Sequence, residues 1–225
     1  GTAIGEAVYW LEAGELVAIP TETVYGLAGN ALSADAVTRI FEVKNRPSFD
    51  PLIVHTDSVD KVPALVSAFP EPARRLLKIF APGPLTLLLP RSSVIPDLVT
   101  AGSSRVAVRI PNHPVVLELL YRLDFPLAAP SANPFGYISP TKAEHVMDQL
   151  GERIPYILDG GPCEVGVESI IVGWEGEDAI PTIWRKGGIP VEDIIDVLGP
   201  VVIKSESTSN PQAPGTLKSH YAPGK

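Results

Sequence analysis

The sequence predicts an α/β protein, an open twisted mixed sheet with flanking helices. Three observations lead there. Helical and strand-like segments alternate along the chain, and the strand-like runs are short and apolar. The third is size: 225 residues with 45% hydrophobic and 20% charged side chains suffice for one well-buried core with a small appendix.

From Ile4 to Leu11 apolar residues recur at helical spacing (Ile4, Ala7, Val8, Leu11), and Gly14 stops the run before a β-rich Leu16 to Ile19. Ser33 is placed to cap a helix with Ala36, Val37, Ile40 and Phe41 on one face, ending near Lys44 ahead of Pro47. Further strands are expected at Leu52 to Val54, Leu85 to Leu89, Val106 to Ile110, Tyr156 to Leu158, Ser169 to Val172 and Thr182 to Trp184. Helices are expected between them, at Val59 to Ala68, Pro72 to Phe80, Val115 to Leu123, Lys142 to Leu150 and Val191 to Leu198. Such alternation builds a mixed sheet covered by helices. After Leu198 the periodicity lapses, and residues 210–225 are rich in Pro, Gly and small polar side chains. The expected division is one domain over residues 1–200 and a linker or tail over 201–225.

Composition narrows the function classes. A formal charge of -8 argues against a surface that binds nucleic acid mainly by neutralising phosphates, so no strong direct nucleic-acid binding is expected. The single cysteine, Cys163, excludes an internal disulfide framework and a multi-cysteine metal site, and reads as a small thiol rather than a nucleophile. No basic leader precedes an apolar run, and no run reaches the roughly 18 apolar residues of a membrane span. A soluble, cytoplasmic protein is expected.

Several loops can carry chemistry. The run PTETVYGLAGNA (Pro20 to Ala31) follows a strand and gathers hydroxyls, a carboxylate and a phenol; it is neither a dinucleotide fingerprint nor a phosphate-binding Walker loop, and fits a plain turn as well as a binding loop. In KNRPSFDPLIVH (Lys44 to His55) two cations stand at a helix end. They suit either neutralisation of the helix C-terminus or a clamp on a triphosphate. His55 ends a strand, where a structural role is as natural as a catalytic one. Arg109 alternates with Val106 and Val108; pointing into solvent it would be inert, and in a cleft it would bind a carboxylate. Ser131 and Asn133 lie in a turn, Ser169 begins a strand, and Arg185 precedes Lys186, Gly187 and Gly188, where backbone can approach an anion. The offered groups are cations and hydroxyls without metal-ligand spacing or a nucleophile elbow, so positioning of phosphates and a small polar substrate is expected.

Seven ordered runs share one pattern: PTETVYGL, KNRP followed by PLIVH, PGPLTLLL, VAVRIP, PSAN, VESIIV and APGTLKSHYAP. Together they resemble the YrdC-like threonylcarbamoyl-adenylate synthase family, from about Ile4 to the end of the chain, with the last run similar to the interdomain linker of its two-domain members. The resemblance implies a large concave, basic cavity. It also implies a reaction in which L-threonine and bicarbonate give N-carboxythreonine, whose carboxylate attacks the α-phosphorus of ATP and expels pyrophosphate, for the t6A modification of tRNA by downstream threonylcarbamoyl-transferase proteins. By the same resemblance Lys44 and Arg46 hold phosphates and act in catalysis. Thr23, His55, Arg109, Ser131 and Ser169 surround the threonine, Arg109 taking its carboxylate, while Asn133, Thr141, Arg185 and Tyr221 lie near the nucleotide, with Tyr221 closing over the cavity. Asp50 stands where relatives usually have a nucleotide-contacting Asn, and a carboxylate there needs a cation between it and the phosphates. Arg105 replaces a small hydroxyl residue, so a contact there would use backbone. Mg²⁺ accompanies ATP, held largely by phosphates. Two rivals share the fold: a carbamoyl-adenylate domain of carbamoyl-transfer enzymes, and an RNA-binding module, which the net charge disfavours.

Overall fold

The computed structural model describes residues 3–174, 179–204 and 212–216. Among them, ten strands form one mixed sheet in the order β10-β9-β8-β4-β5-β3-β6-β2-β1-β7. The strands are β1 (Val17–Ile19), β2 (Gly26–Asn30), β3 (Ile53–His55), β4 (Leu85–Pro90), β5 (Arg105–Arg109), β6 (Leu127–Ala128), β7 (Tyr156–Ile157), β8 (Ile170–Gly173), β9 (Thr182–Arg185) and β10 (Val202–Ile203). The helices are α1 (Ala3–Glu12), α2 (Ala34–Lys44), α3 (Glu71–Phe80), α4 (Pro114–Arg122), α5 (Ala143–Leu150) and α6 (Val191–Leu198). Pairings alternate in direction near the centre: β3 runs parallel to β5, β5 antiparallel to β4, and β4 parallel to β8.

The period-2 alternation of strands sorts side chains onto two different faces. Leu85, Leu87 and Leu89 of β4 and Val106 and Val108 of β5 join the main core with Val37, Ile40 and Phe41 of α2, Leu76 and Leu77 of α3 and Ile194 of α6. On the opposite face, α1 and α4 cover β1, β2 and β6 through Leu11, Val17, Ile19, Leu119 and Leu127. Beyond that cover, the same face carries Ile53, Leu88, Ala107, Ile171 and Trp184, packed with Ala213. The helices thus leave one stretch of the second face to be floored by β3, β4, β5, β8 and β9. That stretch holds the site.

Most elements fall where periodicity places them. Ser33 caps α2, its Oγ accepting from the Ala36 N–H at 3.3 Å, and Asn45 ends the helix in the left-handed conformation. Four segments differ. Residues 26–30, expected to be loop, form β2: Gly26 lies against Ala129, where an added Cβ would come to 3.2 Å from its Cβ, and Gly29 against Leu16 at 2.8 Å, so close packing outweighs the low strand propensity of glycine. The two-residue strands β6 and β10 are too short to show a period. The helix expected over Val59 to Ala68 is a 3₁₀ segment, Val59–Ala64, containing Pro63, which cannot donate an intrahelical hydrogen bond.

Candidate functional site

A narrow cleft of about 30 Å³ opens on the floor just described, and Arg46, His55, Arg109, Ser131 and Arg185 line it together. They come from the end of α2, the ends of β3, β5 and β9 and the turn after β6. The sequence therefore brings three guanidinium groups from distant segments to one concavity. A second, larger cleft of about 380 Å³ shares Val24, Glu168 and Arg185 with the first and adds Ser139, Val167 and Lys186. Arg185 stands at the boundary.

Each cation is held in its own way. Arg46 is buried, with Nη2 2.8 Å from the Asp50 carboxylate and 2.8 Å from the Pro51 carbonyl, to which it donates. Burial pushes the Asp50 carboxyl up, against the opposing pull of Arg46 and of a hydrogen bond from the Gly215 backbone N–H. Arg109 donates through Nη2 to Glu22 Oε1 at 2.6 Å and through Nε to the Gly83 carbonyl at 3.4 Å. Arg185 donates to the Ser169 carbonyl from Nη2 at 2.9 Å and from Nε at 3.1 Å, and its Nη1 reaches the Pro214 carbonyl at 3.4 Å. Pro214 and Gly215 are themselves part of the cleft lining. Residues 212–216 thus form one wall, anchored by buried Ala213 and by the bond from Arg105 Nη2 to Gln212.

Lys44 is placed differently. It is 1% exposed, and its Nζ donates to the carbonyls of Ser131 and Asn133, behind the turn that lines the cleft. Burial, then the neighbouring Arg46, drives its basicity well below the usual value, against the opposing pull of Glu168 and Asp50. His55 is held neutral, its pKa pushed down to about 3 by burial and by Arg109, with Nδ1 3.2 Å from the Ile53 carbonyl.

Other expected residues stand one layer behind the lining. Thr23 is buried with its Oγ1 2.9 Å from Thr21 Oγ1, and Thr21 supplies the lining hydroxyl. Ser169 Oγ is 2.7 Å from Thr86 Oγ1 and accepts from Arg185 Nη2 at 3.1 Å. Asn133 donates from Nδ2 to the carbonyls of Pro134 at 3.0 Å and Tyr137 at 2.8 Å, and its buried Oδ1 has no partner among the described residues. The Thr141 hydroxyl is 3.5 Å from His145 Nδ1, ahead of α5. Tyr221 lies outside the described residues.

Five participants escaped the sequence reading: Thr21, Glu22, Thr86, Glu168 and Gly215. All stand inside the runs singled out there, yet nothing in spacing separates Thr21 from Thr23 or Glu168 from Ser169. Cys163 is half-buried, and burial pushes its thiol up to about 11, away from the range of a nucleophile. The arrangement offers fixed positive charge, buried hydroxyls and a neutral imidazole. It suits binding of anions and stabilisation of charge that develops on phosphoryl oxygens.

The profile of the Sua5/YciO/YrdC domain, described as "Telomere recombination", matches residues 10–187. Threonylcarbamoyl-AMP synthase of Bacillus subtilis (strain 168) is 46% identical over 224 residues, covering 98% of this chain and 64% of that protein. Threonylcarbamoyl-AMP synthase of Pyrococcus abyssi is 44% identical over 221 residues, covering 96% of this chain and 64% of its own length. The crystal structure of P. abyssi Sua5 complexed with L-threonine superposes with a TM-score of 0.94 at 45% identity, over 98% of this chain and 65% of that one. The chain therefore spans just under two thirds of these relatives.

Proposed function

The chain belongs to the Sua5/YciO/YrdC family, and on that premise we propose that it is an L-threonylcarbamoyladenylate synthase, a nucleotidyltransferase using L-threonine, bicarbonate and MgATP. One observation carries the reading: Arg46, Arg109 and Arg185 line a single cleft that continues into a second, larger one. In this reading the first cleft takes the amino acid and the phosphate end of the nucleotide, the second takes the nucleoside, and Arg185, which lines both, stands where the two substrates meet. The P. abyssi relative bound to L-threonine supports the amino-acid half.

In the proposed sequence the threonine nitrogen bonds to the carbon of bicarbonate, whose C–OH bond breaks as the hydroxyl leaves with an amine proton as water. With CO₂ instead, one C=O π bond opens as the nitrogen loses a proton to solvent, and either route gives a carbamate. A carbamate oxygen then forms a bond to the α-phosphorus, and the bond to the β-phosphate oxygen breaks, releasing pyrophosphate. Arg109 holds the α-carboxylate, with Thr21, Thr23, His55, Ser131 and Ser169 shaping the pocket around it. Arg46 and Arg185 stabilise charge on the phosphates, which in a site shielded from water is worth about 2–4 kcal/mol per donor. Asn133 and Thr141 order the nucleotide side, and Asp50 acts through Arg46, the cation that the sequence reading required. Lys44 contributes by fixing the turn at Ser131 and Asn133. Mg²⁺ is proposed to enter with the substrate as MgATP, held largely by the phosphates.

The product is a mixed anhydride that water destroys, so a downstream tRNA threonylcarbamoyl-transferase must take it. Among the described residues no helix is long and apolar enough to cross a membrane. The experiment is incubation with MgATP, labelled bicarbonate and each amino acid in turn. Pyrophosphate and a labelled adenylate should appear with L-threonine. Release of pyrophosphate without a labelled adenylate, or no preference among amino acids, would reject the assignment.

A further inference from the structure

Glu22 is 5% exposed and lies outside the lining of the first cleft, yet both its carboxylate oxygens are committed. Oε1 accepts from Arg109 Nη2 at 2.6 Å, and Oε2 accepts the backbone N–H of Asn112 at 2.8 Å. With Arg109 Nε turned to the Gly83 carbonyl, Nη1 is the guanidinium nitrogen without an acceptor among the described residues. A buried ion pair is a weak source of stability, because desolvating both charges offsets most of their attraction. Its value here is geometric. The second anchor at Asn112 fixes the carboxylate, and the fixed carboxylate orients the planar fork of Arg109 on a rigid strand end.

We propose that Glu22 is the positioning residue for amino-acid recognition, taking one edge of Arg109 so that Nη1 is presented to the substrate's α-carboxylate. This rests on the assignment of the first cleft to the amino acid. Glu22 also supplies the counter-charge that offsets the desolvation of the buried Arg109 guanidinium before substrate arrives. An unpaired Arg109 would be free to turn toward other acceptors in the cleft.

The test is calorimetric titration of L-threonine and, separately, of ATP into the wild type, Glu22→Gln, Glu22→Asp and Arg109→Ala, with thermal unfolding of each. Glu22→Gln keeps the shape but loses the charge, and Glu22→Asp keeps the charge but withdraws it by one methylene. Both should weaken threonine about tenfold while ATP affinity stays within about twofold of wild type. Unchanged or tighter threonine binding in Glu22→Gln, with binding lost in Arg109→Ala, would show a mere charge-balancing role and overturn the proposal. Parallel loss of threonine and ATP binding in both Glu22 variants would make Glu22 a general structural group and overturn it equally. Threonine affinity unaffected by Arg109→Ala would instead remove the amino acid from this cleft.

Discussion

Arg46 and Asp50 form a buried ion pair, Nη2 to carboxylate 2.8 Å, at the edge of the cleft where phosphates are proposed to sit. The spacing i, i+4 straddles Pro47, and the chain turns so that the buried Asp50 carboxylate meets the guanidinium of Arg46, which lines the cleft. A guanidinium shared with a protein carboxylate is oriented before any ligand arrives.

Removing only one partner should be costly. Arg46→Met leaves the Asp50 carboxylate buried without its cation and should destabilise the fold by about 3–5 kcal/mol. Arg46→Met combined with Asp50→Asn should recover most of that stability in urea unfolding, yet turnover should stay reduced by about 10²–10³-fold, because the charge facing the phosphates is still missing. Turnover that returns along with stability would confine Arg46 to a structural role.

Lys44 makes a different prediction. Its Nζ holds the carbonyls of Ser131 and Asn133, so Lys44→Met strands two buried acceptors, at about 1–3 kcal/mol each. The turn should loosen: hydrogen exchange at Ala132, whose N–H donates to the Tyr25 carbonyl at 2.8 Å, should speed up ahead of exchange in β4 and β5. Unaltered protection at Ala132 would show that the turn holds its shape without the ammonium.

The sheet and its helices were legible because burial on one side imposes a period, as in Leu85, Leu87 and Leu89 facing the core. The strand β2 was not, since two glycines pack there by small size, a property that hydrophobic pattern does not register. The same limit applies to the site. Arg46, Arg109 and Arg185 stand out as charges in apolar runs, whereas Glu22 becomes meaningful only when β5 brings Arg109 to within 2.6 Å across 87 residues. Lys44 and Arg46 looked equivalent in KNRP, but residues at i and i+2 around a helix end point in different directions, and only Arg46 reaches the cleft lining.

His55 ties stability to pH. Its folded pKa of about 3 lies below the usual 6.5, so the unfolded chain takes up a proton that the folded chain refuses. The number of bound protons is then larger in the unfolded state between these values. Stability is therefore fully present above about 6.5 and falls with acidification toward 3, by at most about 1.4 kcal/mol per pH unit. The raised carboxyl of Asp50 acts with the opposite sign above 3.8 and is common to both proteins in the comparison. His55→Gln should show a shallower decline between pH 6 and pH 4 in urea titrations. Parallel curves for the two proteins would mean that the imidazole is protonated in the fold.

Gly187 tests how rigidly Arg185 is set. A Cβ at this position would overlap the Glu168 carbonyl oxygen, the Ser169 carbonyl carbon and the Ile170 nitrogen, all backbone atoms with no rotamer to yield. Gly187→Ala must therefore separate the end of β9 from the start of β8. Overpacking of this kind costs about 1–3 kcal/mol. The displaced atoms are those that Arg185 grips, since its Nε and Nη2 both donate to the Ser169 carbonyl. A shift of even half an ångström there moves the guanidinium at the boundary between the two clefts, and turnover should fall by more than the stability loss alone explains. The neighbouring exposed Lys186, changed to Ala, should leave the unfolding temperature within a degree or so of wild type, as surface substitutions usually do. Gly187→Ala with normal unfolding and normal turnover would show slack in the β8–β9 junction and remove it as the support of Arg185.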